Sequence, residues 1–237
     1  MKKNLVFSLS LLAAASLLAA SPKDDVTSAA SALANQPNYS WRTTVQNASG
    51  SFRRGPTDGK TEKDGYTILS ITFNDNTIET VIKGTNCAIK TADNGWESAA
   101  EVEQDSGGGG FNPSLAVAYM ISTYKTPAVE AGTLAAQTQA LTAGTNGISG
   151  DLTTEGAKGL LTFRRGPNST GPTVTNPKGS VTFWITDGKL SKFQVHVTGT
   201  LSFNGNDRDV DRTTTTEIKD VGATKIEVAD DAKKKLE

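Results

Sequence analysis

Chemistry-bearing side chains are scarce in this chain: one cysteine, Cys87, and one histidine, His196, among 237 residues. A lone cysteine excludes an intramolecular disulfide, so a hydrophobic core must supply the stability. Cys87 itself reads either as a reactive thiol or as a small buried hydrophobe. One histidine and one cysteine cannot build a zinc site of the usual nitrogen and sulfur ligands within one chain. His196 falls mid-strand beside Lys192 and Gln194, and no motif supplies a nucleophile and an orienting acid for it. There is no Gly-x-Ser-x-Gly elbow. The glycines at 107–110 lack the Lys-Ser/Thr that would follow in a phosphate loop. An enzyme therefore has no positive support: no catalytic residue, no metal site and no cofactor is expected. Excess charge is missing as well. The 24 basic and 25 acidic residues leave a net charge of −1, which argues against nucleic acid or an acidic lipid surface as partner.

Long apolar runs are absent except at the start. Lys2 and Lys3 precede an apolar stretch at 5–18, and Ala19, Ala20 and Ser21 offer small residues to a signal peptidase. The run is shorter than the ~20 residues of a spanning helix, and Pro22 follows at once. Residues 1–20 are thus expected to form a cleavable signal peptide, cut after Ala20, directing the chain to the periplasm or beyond. Loss of Lys2 and Lys3 would move the net charge from −1 to −3. No cysteine stands at the cleavage site, so neither a lipid anchor nor a membrane span is expected after cleavage.

What is present is β-forming sequence on both sides of a helical middle. Stretch 24–34 suits a short helix. Stretch 40–45 opens the sheet, and 66–73 alternates Leu69, Ile71 and Phe73 against Ser70 and Thr72. Stretches 77–83 and 87–91 continue it, with Asp58-Gly59, Asp64-Gly65, Asp75-Asn76 and Asn94-Gly95 as turn signals. A helical turn is expected at 96–104. Asn112 and Pro113 form an N-cap and first-turn pair, and Thr126-Pro127 starts a second helix running toward Leu141. Sheet returns at 160–163, 180–185, 190–198, 200–203 and 209–218, with Asp187-Gly188 and Asn204-Gly205 as hairpin turns. Stretch 230–236 is a charged helical tail.

Two local patterns invite a site. Asp207, Asp209 and Asp211 begin like a calcium loop, but Arg212 and Ile218 occupy the positions that need Gly and Glu. In a strand these acids share one face while Arg208, Val210 and Arg212 take the other, which makes a solvated charged hairpin the plainer account. The string Phe-Arg-Arg-Gly-Pro occurs twice, at 52–56 and 163–167. Arg53, Arg54, Arg164 and Arg165 read either as anion ligands or as strand ends paired with acids. The repeat divides the sheet into two similar meanders separated by the helical middle.

Four stretches (38–41, 75–96, 179–193 and 204–222) resemble an uncharacterised family of predicted secreted bacterial proteins, to which no activity is assigned. The strand pair Trp184-Ile185-x-Asp187-Gly188-x-Leu190 and the ending Gly222-x-x-x-Ile226-Glu227-Val228 are similar in style to the periplasmic lipoprotein-carrier and lipid-binding lipoprotein superfamily. That resemblance implies an opening helix and a strongly bent antiparallel sheet wrapped around a helical hairpin, with an apolar cavity between. The chain departs from it in lacking the lipobox cysteine and in the alanine- and threonine-rich helices of its middle.

The expected fold is α+β: a half-barrel of two similar meanders around a central helical segment, in a single domain at 21–237 with a helical insertion at about 112–141. The expected function is an exported non-enzymatic binding module or carrier for an apolar ligand, a lipid or lipoprotein acyl group. Leu69, Ile71, Phe73, Val181, Phe183, Phe193 and Val195 are its candidate lining, with Trp41 and Trp184 at the rim. The alternative is an envelope-associated structural or protein-interaction protein whose same residues fill an ordinary core. Oligomeric state stays open.

Overall fold

The computed structural model describes residues 21–48, 54–73, 76–105, 112–162, 171–203 and 205–237. The expected signal peptide, the glycines at 107–110, and Arg53, Arg164 and Arg165 lie outside the described residues. The chain runs α1 (Pro22–Ala34), β1 (Asn38–Asn47), β2 (Arg54–Glu62), β3 (Thr67–Phe73), β4 (Asn76–Lys83), β5 (Asn86–Thr91) and β6 (Gly95–Ser98). Then come α2 (Ala99–Asp105), α3 (Pro113–Ile121), α4 (Pro127–Ala136), β7 (Thr142–Gly144), β8 (Gly147–Asp151) and α5 (Thr154–Leu161). It closes with β9 (Thr173–Thr186), β10 (Lys189–Phe203), β11 (Asn206–Lys219) and α6 (Asp230–Lys234). All eleven strands form one open antiparallel sheet in the order β6-β5-β4-β3-β2-β1-β11-β10-β9-β8-β7, an α+β half-barrel. Consecutive strands are neighbours within each run, β6 and β7 lie at the two edges, and β1 pairing with β11 joins the first run to the last.

Local chemistry explains most elements. Ser21 caps α1 through a capping box: its hydroxyl accepts from the Asp24 amide at 3.2 Å, and the Asp24 carboxylate accepts from the Ser21 amide at 3.1 Å. Asn112 Oδ1 likewise accepts from the Leu115 amide at 3.1 Å, with Pro113 at the first helical position of α3. The Asp187-Gly188 turn places both residues at positive φ, 51° and 72°, as a two-residue hairpin requires.

Four expectations need correction. Asp58-Gly59 is not a turn but lies within β2. A Cβ at residue 59 would come within 2.1 Å of the Trp41 indole across the strand pair, so the glycine makes room for that ring. The strand expected at 160–163 is replaced in its described part by helix, Leu160 and Leu161 ending α5, and Phe163 lies outside the described residues. Thr153 caps that helix, its hydroxyl accepting from the Gly156 amide at 3.1 Å, and Ala157 and Leu161, one turn apart, face the core. The strands expected at 190–198 and 200–203 are one strand, β10, whose pairing with β9 shifts register around Gly199. There β9 spends two residues, Asn176 and Pro177, against one, a β-bulge with Asn176 at φ 50°. The second helix of the middle stops at Ala136, short of Leu141.

The sheet has a helix-covered inner face. Val26, Ala29, Ala30 and Leu33 of α1, Val117, Ala118 and Ile121 of α3, and Ala128, Ala131, Leu134 and Ala135 of α4 share one buried cluster with the strands. α6 covers part of the opposite face, where Ala232 and Leu236 pack with Val81 and Ala88.

Candidate functional site

Strand alternation brings eight of the nine predicted residues to the inner face, Trp41 of β1 among them. Leu69, Ile71 and Phe73 project from β3, Val181 and Phe183 from β9, and Phe193 and Val195 from β10; each is 6% exposed or less. Phe193 pairs directly with Phe183 and Val195 with Val181, and the two rings stand 6.4 Å apart at 38°. Burying each such side chain contributes about 1.5–3 kcal/mol. β2, β1 and β11 lie between the two groups, and both groups belong with Tyr39 and Trp41 of β1 to one buried cluster.

Two pairs of threonine hydroxyls lie on the same face. Thr43 and Thr216 share a hydrogen bond at 3.0 Å, and Thr61 and Thr67 share one at 2.8 Å. Each hydroxyl satisfies its partner, so the pairs stay neutral without water.

Trp41 is not at a rim. It lies at 3% exposure in the middle of the core, its ring tilted 48° to that of Tyr39 at 5.6 Å. Trp184 follows Phe183 in β9 and so projects from the opposite face, where the Lys192 ammonium lies 3.9 Å from its ring centroid.

The cover over the inner face is uneven. Tyr39 anchors the start of α4: its hydroxyl accepts from the Ala128 amide at 3.4 Å. Burial raises the Tyr39 pKa, and hydrogen bonds with Thr126 and Ala128 lower it only in part. Beyond that anchor, α1 and α4 meet along small side chains. A surface groove of about 250 Å³ runs along their contact, lined by Thr27, Ala30, Ser31 and Ala34 of α1 and Ala128, Val129 and Gly132 of α4. Val129 is 51% exposed beside it. At the other flank α5 sits directly on glycines. A Cβ at Gly179 would lie 2.9 Å from Leu152 Cδ1, and one at Gly199 would lie 2.7 Å from Leu161 Cδ1.

The reactive side chains stand apart from this face or are buried within it. His196 Nε2 lies 2.9 Å from Asp211 Oδ1 on the outer face, with both side chains about half exposed. Cys87 is buried, and burial raises its thiol pKa. Among the described residues no three His, Cys, Asp or Glu side chains are grouped to hold a metal ion. Asp207, Asp209 and Asp211 do share the outer face of β11, opposite Arg208, Val210 and Arg212. The solvated reading holds for the acids but not for Arg212. That side chain is largely buried, and its Nη2 donates to the Leu160 carbonyl at 2.7 Å. The alternation of β11 signals the face; the burial has no local signal.

No helix among the described residues is long and apolar enough to cross a membrane. No protein-family model matches the chain, and no curated protein matches it. Among solved structures it is similar to the lipoprotein LppX of Mycobacterium tuberculosis, at 10% identity over 88% of this chain and 98% of that one, with a TM-score of 0.48. It is similar to LprF of Mycobacterium bovis, at 10% identity over 89% and 97% of the two chains, with a TM-score of 0.46. A LolA-superfamily protein of Nitrosomonas europaea matches at 9% identity over 88% and 96%, with a TM-score of 0.32. At 9–10% identity and TM-scores of 0.32–0.48, these likenesses assign the chain neither a family nor a ligand.

Proposed function

We propose that this protein is an exported, non-enzymatic binding module or carrier for an apolar ligand such as an acyl chain. The two runs β1–β6 and β7–β11 act as similar meanders wrapping the helical segment. The ligand lies against the inner face, with Leu69, Ile71 and Phe73 on one side and Val181, Phe183, Phe193 and Val195 on the other. It works in the periplasm or outside the cell once residues 1–20 are removed.

The observation that carries this reading is the mismatch between floor and roof. The floor is Leu, Ile, Phe and Val at 0–6% exposure, whereas the α1–α4 seam is Ala, Gly, Ser and Thr around a groove. A buried methyl contributes only about 0.8 kcal/mol, so parting α1 from α4 costs far less than opening a seam of leucines. The seam is therefore where an apolar ligand reaches the floor.

A staple tests it. A Cβ at Gly132 would lie 4.0 Å from Ala30 Cβ, within the 3.5–4.5 Å range of disulfides. Ala30→Cys/Gly132→Cys in a Cys87→Ala background should take up a fluorescent acyl probe when reduced and lose that uptake when oxidised. Equal uptake in both states would put the entrance elsewhere. No uptake in either state, with no lipid in mass spectra of organic extracts, would leave the interaction protein with a filled core. That second reading is favoured by the very low exposure of the same seven residues.

A further inference from the structure

Among the described residues Arg212 is the side chain with a buried polar atom that has no hydrogen-bond partner. It projects from the same face of β11 as Thr216, which is 1% exposed, and its cross-strand partners are Val197 on β10, itself 2% exposed, and Asn47 on β1. Val210, two residues away on the same face, packs against the core. A guanidinium has five N–H donors. Nη2 donates to Leu160 O in the last turn of α5, whose negative end offsets part of the charge. The Nε atom is buried with no hydrogen-bond partner. Among the described residues no carboxylate forms an ion pair with Arg212. The acids next to it on β11 are engaged elsewhere, Asp211 with His196 and Asp209 with Thr200 on the outer face. Capping α5 accounts for Nη2 and leaves Nε buried without a partner, and an unmet donor on a part-buried cation is costly.

We infer that Arg212 anchors the anionic head of an acyl ligand, so that the ligand class is a carboxylate- or phosphate-bearing amphiphile rather than a neutral lipid. This rests on the binding reading above. The register supports it. Arg212 stands opposite Val197, Thr214 opposite Val195 and Thr216 opposite Phe193, which in turn pairs with Phe183. A chain held at Arg212 runs along β10 and β11 for roughly 13 Å, at about 3.3 Å per residue, onto the apolar side chains of β9 and β10. Arg208 lies on the same face toward the hairpin and is exposed, so the approach to Arg212 is electropositive.

The test compares cis-parinaric acid with its methyl ester by fluorescence at pH 8, on the full mature chain. The wild type should bind the acid ~10-fold more tightly than the ester, the scale of a charge-assisted hydrogen bond. Arg212→Gln should abolish that preference and leave ester affinity unchanged, and Arg212→Lys should restore part of it. Oleoyl lysophosphatidate should displace the acid whereas inorganic phosphate should not. Equal binding of acid and ester by the wild type overturns the anchor while sparing the carrier; so does a preference that survives in Arg212→Gln. Displacement by phosphate alone overturns the amphiphile in favour of a free anion. If neither probe binds, carrier and anchor fall together. The wild-type comparison decides the matter even if Arg212→Gln does not fold.

Discussion

The two ends of the helical cover are built on opposite principles. α5 is seated: Leu152 and Leu161 drop onto positions where β9 and β10 carry Gly179 and Gly199, and any Cβ there would collide. The α1–α4 pair rests on alanine, glycine and hydroxyl side chains around an open groove, with Val129 exposed beside it. One flank is closed by shape complementarity down to the methyl group; the other has slack. The difference separates a close-fitted wall from a roof joined by small side chains within the same sheet.

The largest expected effect is on the wall. Gly179→Val should cost about 2 kcal/mol through overpacking against Leu152, Ala157 and the His196 carbonyl. In a chain of this size that lowers the thermal midpoint by about 4–8 °C. A drop below 1 °C in scanning calorimetry would mean that α5 is as loosely held as the roof. The same kind of change on the roof should do the reverse. Gly132→Ala meets nothing nearer than Ala30 Cβ at 4.0 Å, and the helix gains about 0.5–1 kcal/mol from the better helix former. A loss of stability in urea melts would show the seam to be as tightly packed as the wall.

The smallest effect concerns α6, a third cover, on the outer face and held partly by charge. Lys235 Nζ donates to Glu101 Oε1 at 2.6 Å, and the Ser98 amide and hydroxyl donate to Oε2 of the same carboxylate. The Lys235 hydrogen bond first, and then Ser98, pull the Glu101 pKa from 4.5 down to about 2. A lowered carboxylate pKa stabilises the fold above the unfolded value, and that contribution fades as pH falls from about 4.5 through 2. Lys235→Met should therefore lower the thermal midpoint slightly at pH 6 and by much less near pH 2; a gap of equal size at both values would detach α6 from this ion pair. Exposure keeps the effect small.

Legibility followed the range of the interaction. The floor of the candidate site could be read because Leu69, Ile71, Phe73, Val181, Phe183, Phe193 and Val195 alternate with polar residues, and a period of two determines a face whatever lies opposite. β2 was not legible: Arg-Gly-Pro-Thr-Asp-Gly reads as turn chemistry, yet a bulge absorbs Gly55 and Pro56, and Gly59 receives an indole from the next strand. α5 failed for a related reason. Gly156 and Gly159 depress its helix propensity, and Leu160 and Leu161 form a short apolar run that periodicity alone cannot assign. The helix persists because Gly156 fits against Gln137, where a Cβ would be only 3.0 Å away.

By itself the sequence determined what depends on near neighbours: the cap at Asn112, the positive-φ turn at Asp187-Gly188, and the dry and wet faces of β3, β9, β10 and β11. Tertiary structure alone decided what depends on the partner across the sheet. It buried Trp41 in the middle of the core and turned a charged tail into a cover for Val81 and Ala88. It also placed Arg212 under the end of α5 with its Nε unpaired. Backbone conformation and alternation are set within a few residues, whereas burial is set by whichever surface arrives from elsewhere in the chain.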